Sequence, residues 1–284
     1  MLTIEKRPQF DANWTLVTGA LAQESPSSLF VRAFEYPTGY IGHSHRHRLA
    51  QIVYPIHGVI SVYAEQAQIT VSPYRAVYVP SWLPHTVAAK GNTRMRSIFI
   101  NPDDRLLRQQ HSSNPSTPTS ALTVLNVSPL LHELVCEAGL NYGAESHDTL
   151  AQQVLDLIRS LLFQHEANDG YVALPAIKHP RLRKLMLEPF DGGQSATAAA
   201  ERVALSPRQF RRLFQADTGI TYAQWRALAR IRRAIEYLAS GHSITEVATE
   251  LGFSSPSAFT ASFRRIVGAS PSAFTMQRKQ GARR

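Results

Sequence analysis

Only one cysteine, Cys136, occurs in 284 residues. No intramolecular disulfide can form, so a disulfide-framed secreted scaffold is excluded and a reducing compartment fits. Long apolar runs are missing as well: none approaches the ~18 residues of a candidate membrane span. The opening stretch, MLTIEKRPQF, holds no signal-peptide core. A soluble cytoplasmic protein is expected. Also lacking is any acid–base pair or nucleophile constellation of the kind enzymes use. No catalytic residue is assigned, and the chain is read as a non-enzyme.

Acidic residues are scarce in one half only. Residues 178–284 carry 18 Lys and Arg against 7 Asp and Glu, a net of +11, whereas residues 1–177 carry 12 against 14. A basic half on a nearly neutral half points to a polyanion-binding module joined to something else.

Within the basic half one pattern is written twice. Ser206, Pro207, Phe210, Phe214 and Gly219 recur as Ser255, Pro256, Phe259, Phe263 and Gly268, each displaced by 49 residues. Serine before proline begins a helix, because the hydroxyl caps a free N–H and proline loses no bond in the first turn. Two Phe four apart share a helical face, and glycine ends the helix. Ahead of the second copy, Ser243-Ile-Thr-Glu246 is a capping box opening a helix, and Gly252-Phe253 supplies a turn. Ahead of the first copy, Ser195–Leu205 plays the same part, with Ala204 or Leu205 turning without glycine. The result is two helix-turn-helix units. Between them runs a helix over Tyr222–Ser240 with a buried stripe of Trp225, Leu228, Ile231, Ile235 and Leu238.

The outward faces can be read directly. In the first copy Arg208, Arg211 and Arg212 share the outward face with Gln215; in the second, Ser257, Thr260 and Ala261 face out with Arg264 and Arg265 behind them. Arginine is suited to bidentate contact with guanine, at roughly 1–3 kcal/mol of discrimination. The short side chains suit thymine methyls or groove shape, and the trailing arginines suit phosphates. Double-stranded promoter DNA is the expected partner.

The first hundred residues have β texture, with apolar or alternating runs at Leu29–Tyr36, Leu49–Ile56, Val59–Tyr63, Ile69–Val71, Ala76–Val79 and Arg94–Ile100. Inside them lie His45, His47 and Gln51, and later Pro80, Ser81, Trp82 and His85. This resembles the two motifs of the cupin barrel, whose metal ligands are His-x-His with a later Glu, and a further His. Gln51 stands in place of the Glu, Pro73 in place of the Gly that opens the second motif, and Trp82 in place of a Gly. The resemblance implies that His45, His47, Gln51 and His85 hold a divalent metal, with no cofactor otherwise. The plainer alternative is that they are polar lining of a ligand pocket.

A polar linker, His111–Ser120, separates this part from two helices at roughly Pro129–Tyr142 and Thr149–His165. In the second, Leu150, Val154, Leu157, Ile158 and Leu161 make an apolar stripe that can pack on its own domain or hold a homodimer. A second linker is read over Asn168–Pro180. The expected class is α+β multidomain: a small barrel at 1–110, a helical hairpin at 121–167, and an all-α domain of two helix-turn-helix units joined by a long helix at 178–284.

A cupin-like barrel before two helix-turn-helix units resembles the AraC/XylS family of bacterial transcriptional regulators. SPRQFRRLFQADTG, SITEVATELGF and SPSAFTASFRRIVGASP carry the resemblance. QWRALARIRRAIEYLASGHSITEVATELGFSSPSAF is most similar to the subgroup of the nitroimidazole-resistance regulator. The family implies a sequence-specific regulator, activator or repressor, that responds to a small-molecule or metal effector in the barrel. The rival is a cupin metalloenzyme, an oxygenase or isomerase, with a basic nucleic-acid-binding tail. It explains the histidines but not the repeat.

Overall fold

The computed structural model describes residues 15–16, 29–65, 67–103, 122–141, 148–162, 172–183, 185 and 195–275. The linker at 111–120 lies outside them. Among the described residues, one nine-stranded sheet is built from β1 (Thr15–Leu16), β2 (Leu29–Tyr36), β3 (His45–Arg46), β4 (Ala50–Ala64), β5 (Ala67–Val71), β6 (Arg75–Val79), β7 (His85–Ile100), β8 (Thr123–Asn126) and β9 (Val172–Pro175).

The spine of the sheet is the long antiparallel pair β4–β7, running from Ala50↔Ile100 to Ala64↔His85. On the far side of β7 lie β2 and β3. The ladder is interrupted between Pro55 and Val59, where Gly58 adopts φ 82°. A side chain there would meet the Thr93 hydroxyl and lie 2.9 Å from the Asn92 carbonyl oxygen, so only glycine fits this bulge. The irregularity divides β4 between two partners: Gln51–Val53 pair with β6, and Ile60–Tyr63 pair with β5. Here the expected barrel needs correction. The sheet is not closed, because β6–β8 and β5–β9 leave β4 as separate branches and do not continue round to β2.

Alternation along the strands gives the sheet two apolar faces. On one, Leu29, Val31, Ile52, Tyr54, Ile98 and Ile100 pack against α1 (Pro129–Asn141) and α2 (Thr149–Leu162). On the other, Val53, Val77, Val79, Val87 and Met95 form a second cluster. α2 buries Ala151, Leu155, Ile158 and Leu162.

The remaining helices are α3 (Pro180–Arg183), α4 (Ala196–Arg202), α5 (Pro207–Thr218), α6 (Tyr222–Ala239), α7 (Ile244–Glu250) and α8 (Pro256–Val267). Their ends follow from local chemistry. Ser206 and Gln209, Thr221 and Gln224, and Ser243 and Glu246 form reciprocal capping boxes, and Ser255 caps Ala258. α5 and α8 stop at Gly219 and Gly268, both left-handed. Ala204, at φ 53°, makes the glycine-free turn of the first unit. Phe210 and Phe214 are fully buried in one helical core, Phe259 and Phe263 in the other.

The second expected linker also needs correction over its described part. Residues 172–175 are a strand, pairing β5 from Thr70↔Val172 to Ala67↔Pro175. Val172 and Leu174 are buried, because V-A-L-P alternates and its apolar face has helices to meet.

Candidate DNA interface and effector cluster

The 49-residue repeat gives α5 and α8 equivalent surfaces. Arg208, Arg211, Arg212 and Gln215 occupy successive positions of one helical face, and Ser257, Thr260, Ala261 and Arg264 are their counterparts. All four of the first set are exposed, as are Ser257, Ala261, Arg264 and Arg265; Thr260 is half-buried. Arg211 Nε donates back to the Pro207 carbonyl at 3.2 Å, which holds that side chain along the helix. On α8 the small side chains leave an open hollow of about 780 Å³, lined by Pro256, Ser257, Thr260, Ala261, Arg264 and Arg265. One helix therefore projects long cations, and the other offers a concave surface with arginines at its far edge.

A device not read from the sequence fixes the second unit to the linking helix. Arg230 on α6 donates to the Leu251 carbonyl from Nε at 3.1 Å and from Nη2 at 2.7 Å, and from Nη2 to the Gly252 carbonyl at 2.7 Å. Its guanidinium lies 4.5 Å over the Phe253 ring. A cation here meets the free carbonyls at the end of α7. Nothing in the apolar periodicity of α6 signals this contact, since Arg230 lies off the buried stripe.

The second cluster lies in the sheet. His45 pairs with His85 between β3 and β7, and His47 follows just beyond the two-residue β3. The sequence reading set His45 and His47 together on one strand. In the structure His47 is placed instead by its own carbonyl, which accepts from Trp82 N at 2.8 Å. One ligand nitrogen from each of His45, His47 and His85 lies within 4.8 Å of the others. Gln51 joins them from β4: its Oε1 is 3.1 Å from Nε2 of both His47 and His85. Its Nε2 donates to Ser97 Oγ at 2.7 Å, a partner the sequence gave no sign of.

Each imidazole is oriented from behind. Nδ1 of His45, His47 and His85 faces the carbonyl oxygen of His43, Leu49 and Leu83, at 3.0, 2.7 and 2.9 Å. A carbonyl only accepts, so each Nδ1 carries the hydrogen. Burial pushes His85 down to about 3, aided by the neighbouring His45, and burial also lowers His47. In those two neutral rings Nε2 then keeps a lone pair, aimed at the Gln51 oxygen. Lone pairs converging without a hydrogen between them suit a cation, and a backbone-tethered Nδ1 is how a ligating histidine is usually held. The residues fit a divalent metal of the zinc, nickel, iron or manganese type.

Two domain families match this chain. A helix-turn-helix domain covers residues 199–277, and a cupin domain covers residues 33–101. The HTH-type transcriptional regulator NimR of Escherichia coli K12 is 28% identical over 231 residues, spanning 80% of each chain. The thermoregulatory protein LcrF of Yersinia pestis is 31% identical over 185 residues, 62% of this chain and 66% of that protein. Among solved structures, ToxT from Vibrio cholerae covers 88% of this chain at 11% identity, with a TM-score of 0.36. The described residues include no helix long and apolar enough to cross a membrane. With a cupin domain preceding a helix-turn-helix domain, and a transcriptional regulator similar over four-fifths of its length, the chain has the two-domain make-up of AraC-type regulators.

Proposed function

We propose that this protein is a cytoplasmic, sequence-specific transcriptional regulator that binds promoter DNA through α5 and α8 and responds to an effector held by the sheet. The carrying observation is the pair of equivalent exposed faces, 208/211/212/215 and 257/260/261/264, on helices displaced by 49 residues. Between them α6, at 18 residues, is about 27 Å long. That length is close to one turn of B-DNA, about 34 Å, so one chain can address two successive major grooves. Residues 1–110 are assigned to sensing, 121–167 to a helical hairpin that dimerises, and 178–284 to DNA. Selection of binding sites from random duplexes is the test. Enrichment of a defined sequence, lost on replacing Arg211 and Arg212, supports the reading; binding without sequence preference sinks it.

The effector reading has two forms, distinguished by the orientation of one amide. With Oε1 toward the histidines, Gln51 and three imidazoles make a metal site. Rotated by 180°, its NH2 can donate to His47 and His85 while Oε1 accepts from Ser97, and the cluster is satisfied as polar lining without metal. The backbone tethers on all three Nδ1 atoms favour the first. A metal held there could serve the alternative cupin enzyme equally; the two named relatives are both regulatory proteins, which favours sensing. Dimerisation is supported by Leu150 and Leu157, 56% and 43% exposed, with Val154 and Leu161 partly buried on the same stripe.

A further inference from the structure

We infer that β9 couples the sheet to the relative placement of α5 and α8; the inference rests on the regulator reading above. β9 is a member of the sheet through its ladder to β5, and Ala173 packs against the inner cluster of the sheet. Its other face belongs to the helices. Val172 lies in the core that contains Ile231, Ile235, Phe259 and Phe263 of the second helix-turn-helix unit. Leu174 lies in the core that contains Phe210, Phe214 and Trp225 of the first. Two side chains, two residues apart on one strand, are thus seated in the cores of both units.

Polar contacts fix the same strand to the helices. Trp225 Nε1–H donates to the Pro175 carbonyl at 3.0 Å. Just past β9, the backbone N–H of Lys178 and of His179 donate to the Asp217 carboxylate of α5, at 2.9 and 3.1 Å. At the other end of α6 the Ala239 carbonyl lies 3.6 Å from where a Cβ on Gly91 of β7 would stand. Positions 225, 229, 232, 236 and 239 follow each other at three- and four-residue steps, so they share the α6 face between these two anchors.

That face is not a smooth apolar seam. Arg232 and Glu236 are buried there and paired at 2.7 Å, yet Arg232 Nε meets no partner among the described residues. Gln68 pairs directly with Leu174 and so shares its side of the sheet; its Nε2 is also buried with no partner among the described residues. Buried donors left unmet oppose burial, and a polar intramolecular interface of this kind is poised to loosen. By linkage, a change in β9 that alters the placement of α5 and α8 must be matched by a change in β9 when DNA fixes that placement.

Hydrogen exchange on the full chain tests this without knowledge of the effector. A selected duplex carrying both half-sites should change exchange at the β5 and β9 amides by tenfold or more, and a single half-site by less than twofold. Trp225→Phe keeps an aromatic ring, smaller than the indole, and removes the donor. It should cut the affinity ratio between the two-site and one-site duplex at least fivefold, with one-site affinity held within twofold. Gln68→Leu removes an unmet donor far from DNA and should raise that ratio, which keeps the idea falsifiable should the tryptophan variant fail to fold. Unchanged exchange on the two-site duplex overturns the coupling, as does an equal loss on both duplexes. If no duplex is selected at all, the regulator reading falls with it; if one is selected and β9 does not respond, only the coupling falls.

Discussion

Gln51 donates its amide N–H to the hydroxyl of Ser97 at 2.7 Å, and that bond directs the other end of the amide at two histidines. A hydroxyl accepts from an NH2 and donates to an oxygen, so Ser97 holds the far end of the amide in either orientation and fixes its place beside the histidines. Ser97→Ala should weaken metal binding about 10-fold or more, the effect expected on losing an orienting partner behind a ligand. Gln51→Glu supplies a charged oxygen and should tighten binding, while His45→Ala/His47→Ala should abolish it. Metal analysis with titration calorimetry checks the series. Equal metal content in all four proteins would show that the histidines are pocket lining.

Acid should destabilise the sheet. His85 is held near 3 and His47 is also lowered, both by burial, against an ordinary value of 6.5. Between about 3 and 6.5 the unfolded chain binds more protons than the folded one, so stability falls as pH falls through that window and is fully present above it. Urea midpoints at pH 7.5 and pH 5 should therefore differ, with the lower value in acid. His85→Asn should flatten the slope; a steeper one would contradict this account.

On DNA the two kinds of arginine should behave differently. Arg208→Ala, Arg211→Ala or Arg212→Ala should relax base preference at one or two positions, by about 1–3 kcal/mol each. Arg264→Ala should weaken all sequences alike and lower the salt slope by about one. Wild-type base preference in all three α5 variants would remove that helix from sequence reading.

The exposed and buried sides of α2 separate association from folding. Leu157, 43% exposed, can become Glu without opening the core, whereas Ile158 is fully buried. Leu157→Glu should yield a folded monomer with reduced operator affinity, because joining two DNA-binding modules raises avidity. Ile158→Glu should unfold the hairpin. Light scattering and circular dichroism distinguish these outcomes, and a wild-type protein that stays monomeric at high concentration rules out the dimer.

A fragment starting at residue 178 should bind DNA poorly compared with one starting at 171. The shorter piece lacks Val172 and Leu174, which complete the two helical cores, and the Pro175 carbonyl that Trp225 needs. Removing large buried side chains costs about 2–5 kcal/mol each. Melting temperatures of the two fragments should differ clearly; equal stability would show that β9 is dispensable to the helices.

What the sequence determined was local. The capping residues Ser206, Ser243 and Ser255, the glycine stops at Gly219 and Gly268, and the outward set Arg208, Arg211 and Arg212 all act within a few residues of themselves. Such signals survive any tertiary context, because a helix end needs its partner one turn away. The strand runs were legible for the same reason, and β2 spans Leu29–Tyr36 as its alternation indicates.

What the tertiary structure decided was pairing between distant segments. Several alternating runs could pair with one another, and alternation alone does not say which. The bulge at Gly58 divides β4 between β5 and β6, and so turns an expected barrel into a branched sheet. Four residues inside an expected linker became β9 because β5 had a free edge and two helical cores had room for Val172 and Leu174. Gln51 could be picked out by its spacing from His47, but its bond to Ser97 spans 46 residues. Only the folded sheet, which lays β4 beside β7, brings that pair together.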